Sequence, residues 1–394
     1  MQRRNFMRLA GGGVVLAAGA GLTSGCSVFA VPDSAVAAWQ LPAAATELRH
    51  ALLAQALLAP NPHNLQPWLA DLQTPGQIVL RLDPQRSLPA TDPFGRQILL
   101  GTGAFLELLV LAAAQRGQRA DIQLFPDGLP AQRLDGRAVA RIRLAADASV
   151  VPDPLYAQLL LRRTDRRAYD PARPVAAAQA QALQNAVATL PLRFGVVGVV
   201  ADAADSKRLQ AIRTLVREAW RIELSTEAPF MESLRLLRVG SSEIDQHRDG
   251  ISIDSPLLVA LVKLGLFDRS RMPAPGDSAT ARQISDFDKT TASTPAYLWL
   301  VSEGNQRAQQ ISAGRAYLRL NLAGSALGLA MHPNQQALQE YPEVAAQYSA
   351  IHSVLDAPAP RYTVQMLARL GHLPAGSAAA PPAPRRGLAR QFLG

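Results

Sequence analysis

Two stretches, "GTGAFLELLVLAAAQRG" (101–117) and "AQQISAGRAYLRLNLAGSALGLAM" (308–331), share one register. With Gly103 set against Gly314, an offset of 211, Leu109 faces Leu320, Leu111 faces Leu322 and Ala112 faces Ala323. The small pairs Ala113/Gly324 and Ala114/Ser325 continue the match, which ends at Gly117/Gly328. Neither stretch holds a proline, and the first is apolar almost all round, the mark of a buried helix. Small residues on one face let two helix backbones approach closely. The pattern predicts an α+β unit fused to its own copy, the two long helices packing near a pseudo-twofold axis. Chance alignment of two Ala- and Leu-rich helices is the competing explanation.

Around these helices the chain alternates. "TELRHALLAQALLA" (46–59) reads as a helix with Thr46 as N-cap. "IVLRL" (78–82), "DIQLF" (121–125), "AVARIRLA" (138–145), "LRFGVVGVV" (192–200) and "AYLWLVSE" (296–303) read as strands. "AAAQAQALQNAVATL" (176–190) and "SKRLQAIRTLVREAWRIEL" (206–224) read as helices. The resulting division is a leader (1–37), a first half (38–155), a second half (156–373) and a Pro/Ala-rich tail (374–394). Within the second half, 225–295 mixes Leu/Met-rich pieces with Gly/Pro breaks and is a candidate lid, or an ordinary helical excursion.

With 48% hydrophobic residues the chain has ample material for a core, and a mean hydropathy near zero argues against a multi-span membrane protein. The net charge of +9 comes almost wholly from arginine, since lysine occurs only at 207, 263 and 289. The arginines are scattered without a basic run or interleaved aromatics, which excludes a nucleic-acid groove. The six histidines show no H-E-x-x-H or other ligand spacing, and the single cysteine, Cys26, permits neither an intrachain disulfide nor a Cys-based metal site. No metal is expected.

The chain opens "MQRRNFMRLAGGGVVLAAGAGLTSGC". Arg3, Arg4 and Phe6 before a weakly apolar Gly/Ala run resemble a twin-arginine export signal, which implies passage through the twin-arginine translocase to the periplasm or cell envelope. "LTSGC" also resembles a lipoprotein box with Cys26 as a lipid anchor. A cut after the A-x-A at Ala35 to Ala37 competes with it.

Three clusters carry candidate chemistry. "APNPHNLQPW" (59–68) puts Pro60, Pro62 and Pro67 among Asn61, Asn64 and Gln66, a stiff loop of amides able to read the edge of a polar heterocycle. A capped turn after a helix is the plainer explanation. "LRRTDRRAYDP" (161–171) gathers Arg162, Arg163, Arg166 and Arg167 with Thr164, forks suited to phosphate, or else a solvated basic turn. "PRRGL" (384–388) places Arg385 and Arg386 in an otherwise uncharged tail.

Together, A-P-x-x-x-N-x-Q-P-W, a separate R-R-[ST]-x-R, the helix ending "ALGLA" and a late "RLG" before "PRR" resemble the nitroreductase-like FMN flavoproteins. The block order resembles the Acg-type branch, over roughly residues 45 to 390. The resemblance implies an α+β fold with FMN between two fused half-units, a pseudo-dimer. It implies that Arg162, Arg163, Thr164 and Arg166 hold the phosphate, ribityl chain and N1/O2 edge. Pro60, Asn61, Pro62, Asn64 and Gln66 would lie along the flavin, with Asn64 facing the ring, and Arg385 or Arg386 would reach the phosphate. The family often has serines after the first proline. Asn61 and Pro62 stand there instead, and Pro62 has no N–H to donate.

Each half owns one part of such a site, so the fused chain is expected to assemble one FMN site instead of two. The flavin would carry the redox chemistry, with NAD(P)H as a candidate reductant and a nitro compound or quinone as the small-molecule acceptor. Arg166 would stabilise charge at N1/O2, and no side-chain general acid is required. The alternative is a protein that binds or sequesters FMN with little turnover. Whether the chain is a monomeric pseudo-dimer or pairs further is open.

Overall fold

The computed structural model describes residues 31–41, 47–130, 132–200, 202–265, 267–274 and 276–392. The export signal, Cys26 and Thr46 lie outside them. Glu47 caps the first helix, its carboxylate accepting the His50 N–H at 3.1 Å.

The first unit runs α1 (Leu48–Ala56), β1 (Trp68–Asp71), β2 (Gln77–Leu82), α2 (Arg96–Ala114), β3 (Gln118–Leu124) and β4 (Ala140–Ala146). Its antiparallel sheet has the order β1-β2-β4-β3. The second unit begins with α3 (Ala177–Val187) and β5 (Arg193–Val197). An excursion follows: α4 (Ala203–Ser225), α5 (Glu227–Arg235), β6 (Leu237–Val239), α6 (Gly240–His247), β7 (Ile251–Ile253), α7 (Pro256–Lys263) and α8 (Ser278–Ala292). It closes with β8 (Ala296–Glu303), α9 (Arg307–Ala326), β9 (Ala330–Pro333), α10 (Ala345–Val354) and β10 (Tyr362–Gly371). Its antiparallel sheet has the order β5-β8-β10-β9.

The two sheets are one topology used twice: an edge strand, its neighbour, a long helix, the far edge strand, and a last strand returning between them. The expected α+β architecture of two fused half-units is therefore the one the chain adopts. The turn at 72–76 in the first unit corresponds to the whole of 198–295 in the second, so the excursion includes α4 as well as 225–295.

The helices α2 and α9 meet by a reciprocal contact. A Cβ on Gly103 would overlap the carbonyl of Ile311, and a Cβ on Gly314 would overlap the carbonyl of Leu100. Ile311 and Leu100 are themselves 211 apart, so each glycine rests on the residue three positions before the other. That is the isologous contact of a twofold axis. Leu100 packs into the second unit's core, while Ile311, Leu318 and Leu322 pack into the first's. Each unit thus completes the other. Beside the crossing, buried Glu107 accepts from Arg315 at 2.7 Å and Arg319 at 2.9 Å.

The long helix is shorter than its sequence suggests. It ends at Ala326, and 330–333 is strand. Gly328 takes φ 68°, its N–H reaching Ser325 O at 3.1 Å while the Leu329 N–H reaches Gly324 O at 2.8 Å. This is a Schellman stop, and Gly117 at φ 63° marks the same boundary after α2.

The excursion packs on the outer face of the second sheet through Ile212, Val216 and Ala219 of α4. Near its turn into α5, buried Glu223 accepts from Ser233 Oγ at 3.1 Å and Gln339 Nε2 at 3.2 Å. Burial pushes its carboxyl from 4.5 up to about 7. A folded-state value above the unfolded one means that stability is full below 4.5 and falls as pH rises to about 7. Relative to Glu223→Gln, the wild-type chain should lose up to about 3 kcal/mol across that window. Melting both proteins from pH 4.5 to 8 checks it; parallel curves would show that Glu223 does not titrate there.

Candidate functional site

The loop after α1 is strained. His63, Asn64 and Gln66 take φ of 46°, 52° and 51°, a left-handed region that non-glycine residues rarely occupy. Asn61 holds the turn together, its Oδ1 accepting the Gln66 N–H at 2.8 Å and its Nδ2 donating to Ala59 O at 3.1 Å. Asn61 and Pro62 lie so close to α2 that a Cβ on Gly101 would come within 2.9 Å of Asn61 Cβ and 3.1 Å of Pro62 Cδ. Trp68, which begins β1, is buried against Phe105 at 4.8 Å between rings. It anchors the first unit's core.

The Pro/Ala-rich tail straps this loop. Arg167 donates to Ala378 O at 3.0 Å, Arg163 to Ala380 O at 3.0 Å and Trp39 Nε1 to Ala383 O at 2.8 Å. Asn64 Nδ2 donates to Pro384 O at 3.0 Å, the Arg386 N–H donates to Gln66 Oε1 at 2.9 Å, and Phe392 bridges Ala70 at the edge of the first sheet. Gln66 Nε2 also reaches Arg248 O at 2.8 Å, and Arg86 joins Leu65 O to Asp249 at 2.7 Å. The excursion therefore touches the same loop. Both ends of the Asn64 and Gln66 amides are engaged within the protein.

Arg385 lies beneath the loop, 3% exposed. It donates to Leu57 O at 2.8 Å, Leu58 O at 2.9 Å, Ala59 O at 3.1 Å, Asn64 Oδ1 at 2.8 Å and Pro384 O at 2.9 Å. It thereby satisfies the chain's carbonyls past the C-terminal end of α1, where a cation also meets the negative end of the helix dipole. Arg386 bonds Gln66 O at 3.1 Å and Arg390 O at 3.0 Å.

The arginine block runs beside β9, where the Asp165 N–H donates to Met331 O at 3.0 Å. Buried Arg162 donates to Leu58 O of the first unit and to Asn321 Oδ1 of α9 at 3.3 Å. Burial lowers its guanidinium to about 10. Arg167 is neutralised by Asp165 at 2.6 Å. Thr164 and Arg166 are exposed, and the Arg166 guanidinium bonds none of the described residues. Desolvation still lowers it, the mark of a side chain open to solvent yet walled by protein.

Four residues that the sequence did not single out complete the junction. Arg369 is buried with its guanidinium 4.2 Å from the Tyr169 ring centre, donating to Thr294 Oγ1 at 2.7 Å and to the carbonyls of Arg166 and Arg167. Its register partner His332 is pushed far below the ordinary imidazole value by burial, then by Arg369 and Arg166. His63 is lowered to about 4 by burial and by Arg166, which places the loop of one unit against the arginine block of the other. Trp39 stands ahead of α1, packed on the first unit's core. Of these, Arg369 had a signal in "RLG" and His63 in its place inside the loop 59–68; His332 and Trp39 had none.

Arg162, Arg163, Arg166, Arg369, Arg385 and Arg386 form no ion pair among the described residues. Buried polar atoms without partners among the described residues include His63 Nδ1 and Arg162 Nε at this junction. Guanidiniums without ion pairs gathered at one junction suit an anionic ligand.

No protein-family model matches the chain. Its curated relatives include a provisionally named NAD(P)H nitroreductase of Mycobacterium tuberculosis, Rv3131, 29% identical over 341 residues, 86% of this chain and 89% of that one. The provisionally named NAD(P)H nitroreductase Acg of the same organism is 39% identical over 117 residues, 27% of this chain and 31% of that one. The FMN- and NADPH-dependent nitroreductase NfnB from Sphigopyxis sp. strain HMH superposes with a TM-score of 0.37 at 18% identity, covering 60% of this chain and 97% of that one. A nitroreductase with bound FMN from Bacteroides fragilis gives 0.35 at 14% identity, covering 60% and 96%.

Proposed function

We propose that this chain is a nitroreductase-type flavoprotein that holds one FMN at the junction of its two units and passes electrons to a small acceptor. The observation that carries the reading is the set of six arginines without ion pairs, gathered where the loop of one unit meets the arginine block of the other. Similarity to a nitroreductase relative over 86% of the chain supports it.

When bound, the flavin would supply hydride or single-electron transfer. Arg163 and Thr164 would hold the phosphate and ribityl chain, since Thr164 is exposed and Arg163 is half-buried with its Nη2 bonding none of the described residues, while Arg162 is buried behind them. Arg166 is the free guanidinium, suited to negative charge at the N1/O2 edge. Pro60, Asn61, Pro62 and His63 would form the wall from the other unit. Asn64, Gln66, Arg385 and Arg386 set the shape of that wall from behind, since their polar groups bond one another, the tail and the end of α1. His63 is held neutral and donates no proton at ordinary pH.

Each unit supplies only part of this site, so the expected ratio is one flavin per chain. Absorbance of the purified protein after heat release of the chromophore measures it. A colourless protein that takes up no added FMN removes the reading, and a ratio near two removes the shared site.

The tail strap and the excursion both touch the loop, which favours a second reading: a flavin-binding protein with little turnover. Anaerobic bleaching by NADH or NADPH, followed by reoxidation with a nitroaromatic or quinone, supports the enzyme. Flavin that resists both NAD(P)H and a chemical quinol supports sequestration.

Export by the twin-arginine route belongs to the same proposal, on the strength of the RRNF opening. Ala35 is fully buried and sits in a folded turn, Asp33–Val36, so removal of the leader upstream of Pro32 is favoured over a cut after Ala37. A lipid anchor at Cys26 is consistent with that order.

A further inference from the structure

Trp39 lies ahead of α1, packed against the first unit's core, and its indole faces three guanidiniums. The Cζ atoms of Arg163, Arg162 and Arg385 are 5.0, 5.4 and 5.4 Å from its ring centre. The segment that carries it is fixed at several points. Ala35 O accepts the Arg385 N–H at 2.9 Å, Ser34 Oγ donates to Asp245 at 2.5 Å, and Trp39 Nε1 donates to the tail at Ala383.

Three like charges around one side chain repel each other, and something must offset that. A carboxylate here would neutralise the arginines and occupy their N–H edges bidentately. An aromatic face attracts a guanidinium through the ring quadrupole and cancels none of its charge. Stacking also uses the flat face of the guanidinium, leaving its in-plane N–H groups for bonds elsewhere. The edges of Arg162 and Arg385 are taken up by protein carbonyls and amides, whereas Arg163 keeps Nη2 unbonded among the described residues, so Arg163 is the guanidinium whose edge Trp39 leaves to an anion.

We propose that Trp39 is a positioning residue for the phosphate end of the ligand, holding Arg163 beside its ring so that the Arg163 Nη2, which bonds none of the described residues, meets the phosphate. The proposal rests on the FMN reading above.

The test uses the full chain stripped of flavin, titrated with FMN and with riboflavin, which carries the same ring and ribityl chain without the phosphate. Trp39→Met keeps apolar bulk and removes the aromatic face; Trp39→Phe keeps a face. Trp39→Met should weaken FMN by about 10-fold and change riboflavin by less than about 2-fold, with Trp39→Phe recovering most of the FMN affinity. Equal weakening of both flavins, or no change in either, overturns the proposal. So does a wild-type chain that binds FMN and riboflavin equally well. A wild-type chain that binds neither removes the FMN reading itself, and this inference with it. If Trp39→Met does not fold, Trp39→Leu, another apolar side chain without an aromatic face, takes its place in the same FMN-against-riboflavin comparison: a loss confined to FMN supports the role, and a shared or absent loss overturns it.

Discussion

Gly314→Ala should destabilise the chain by about 3 kcal/mol or more, as read from the urea midpoint. Its new methyl would meet the Leu100 carbonyl, which is helix backbone and cannot turn aside. Gly103→Ala should do the same against Ile311, because the contact is reciprocal. Gly324→Ala is the control. It lies on the same helix, but its Cβ would meet only the mobile end of Met331 at 3.3 Å. There the gain in helix propensity, roughly 1 kcal/mol, offsets a small adjustment. Equal costs at Gly314 and Gly324 would mean that the helix crossing is not what fixes the two units. Weakened crossing should also loosen flavin, since the proposed site draws on both sides of it.

That crossing was the most legible feature of the sequence because it is made by side chains that are missing. A glycine opposed to a backbone leaves a visible small residue at a fixed spacing, and duplication printed it twice. β10 was not legible for the opposite reason. "YTVQMLARLG" is buried almost throughout, so it carries no in–out alternation to mark it as a strand. The end of α9 was readable in principle from Gly328, but the apolar residues beyond it continued a helical pattern into β9.

The site divides along similar lines. Arg162, Arg163, Thr164 and Arg166 stand in a compact motif, and the loop 59–66 declares itself by its prolines and amides. The strap does not, since its bonds are made largely by main-chain carbonyls of Ala378, Ala380, Ala383 and Pro384, which any sequence possesses. Trp39 was hidden by its position next to an Ala-x-Ala segment that reads as the end of a leader. Arg369 is a lone arginine in a strand, and only the fold brings it to Arg166 and His332.

The arginines themselves fall into two kinds, and one pair of substitutions separates them. Arg385→Met would leave the Leu57 carbonyl and the Asn64 Oδ1 without a donor and would strip one of two donors from the Leu58 and Ala59 carbonyls, which keep Arg162 and Asn61. Unsatisfied buried acceptors cost about 1–3 kcal/mol each, partly relieved by local rearrangement, so a loss of about 3 kcal/mol or more is expected even in flavin-free protein. Arg166→Ala removes a guanidinium that bonds none of the described residues, so the flavin-free melting temperature should scarcely move. Its FMN affinity should fall by about 10-fold or more, because a charge-assisted bond to the ligand is worth about 1.5–3 kcal/mol. Thermal melts with and without FMN, run on both variants, give all four numbers. If Arg166→Ala melts lower without flavin yet binds FMN normally, it is a structural arginine and the ring edge is held elsewhere. If Arg385→Met is stable without flavin and loses only FMN, the roles are reversed, and the arginine beneath the loop is the one that reaches the phosphate.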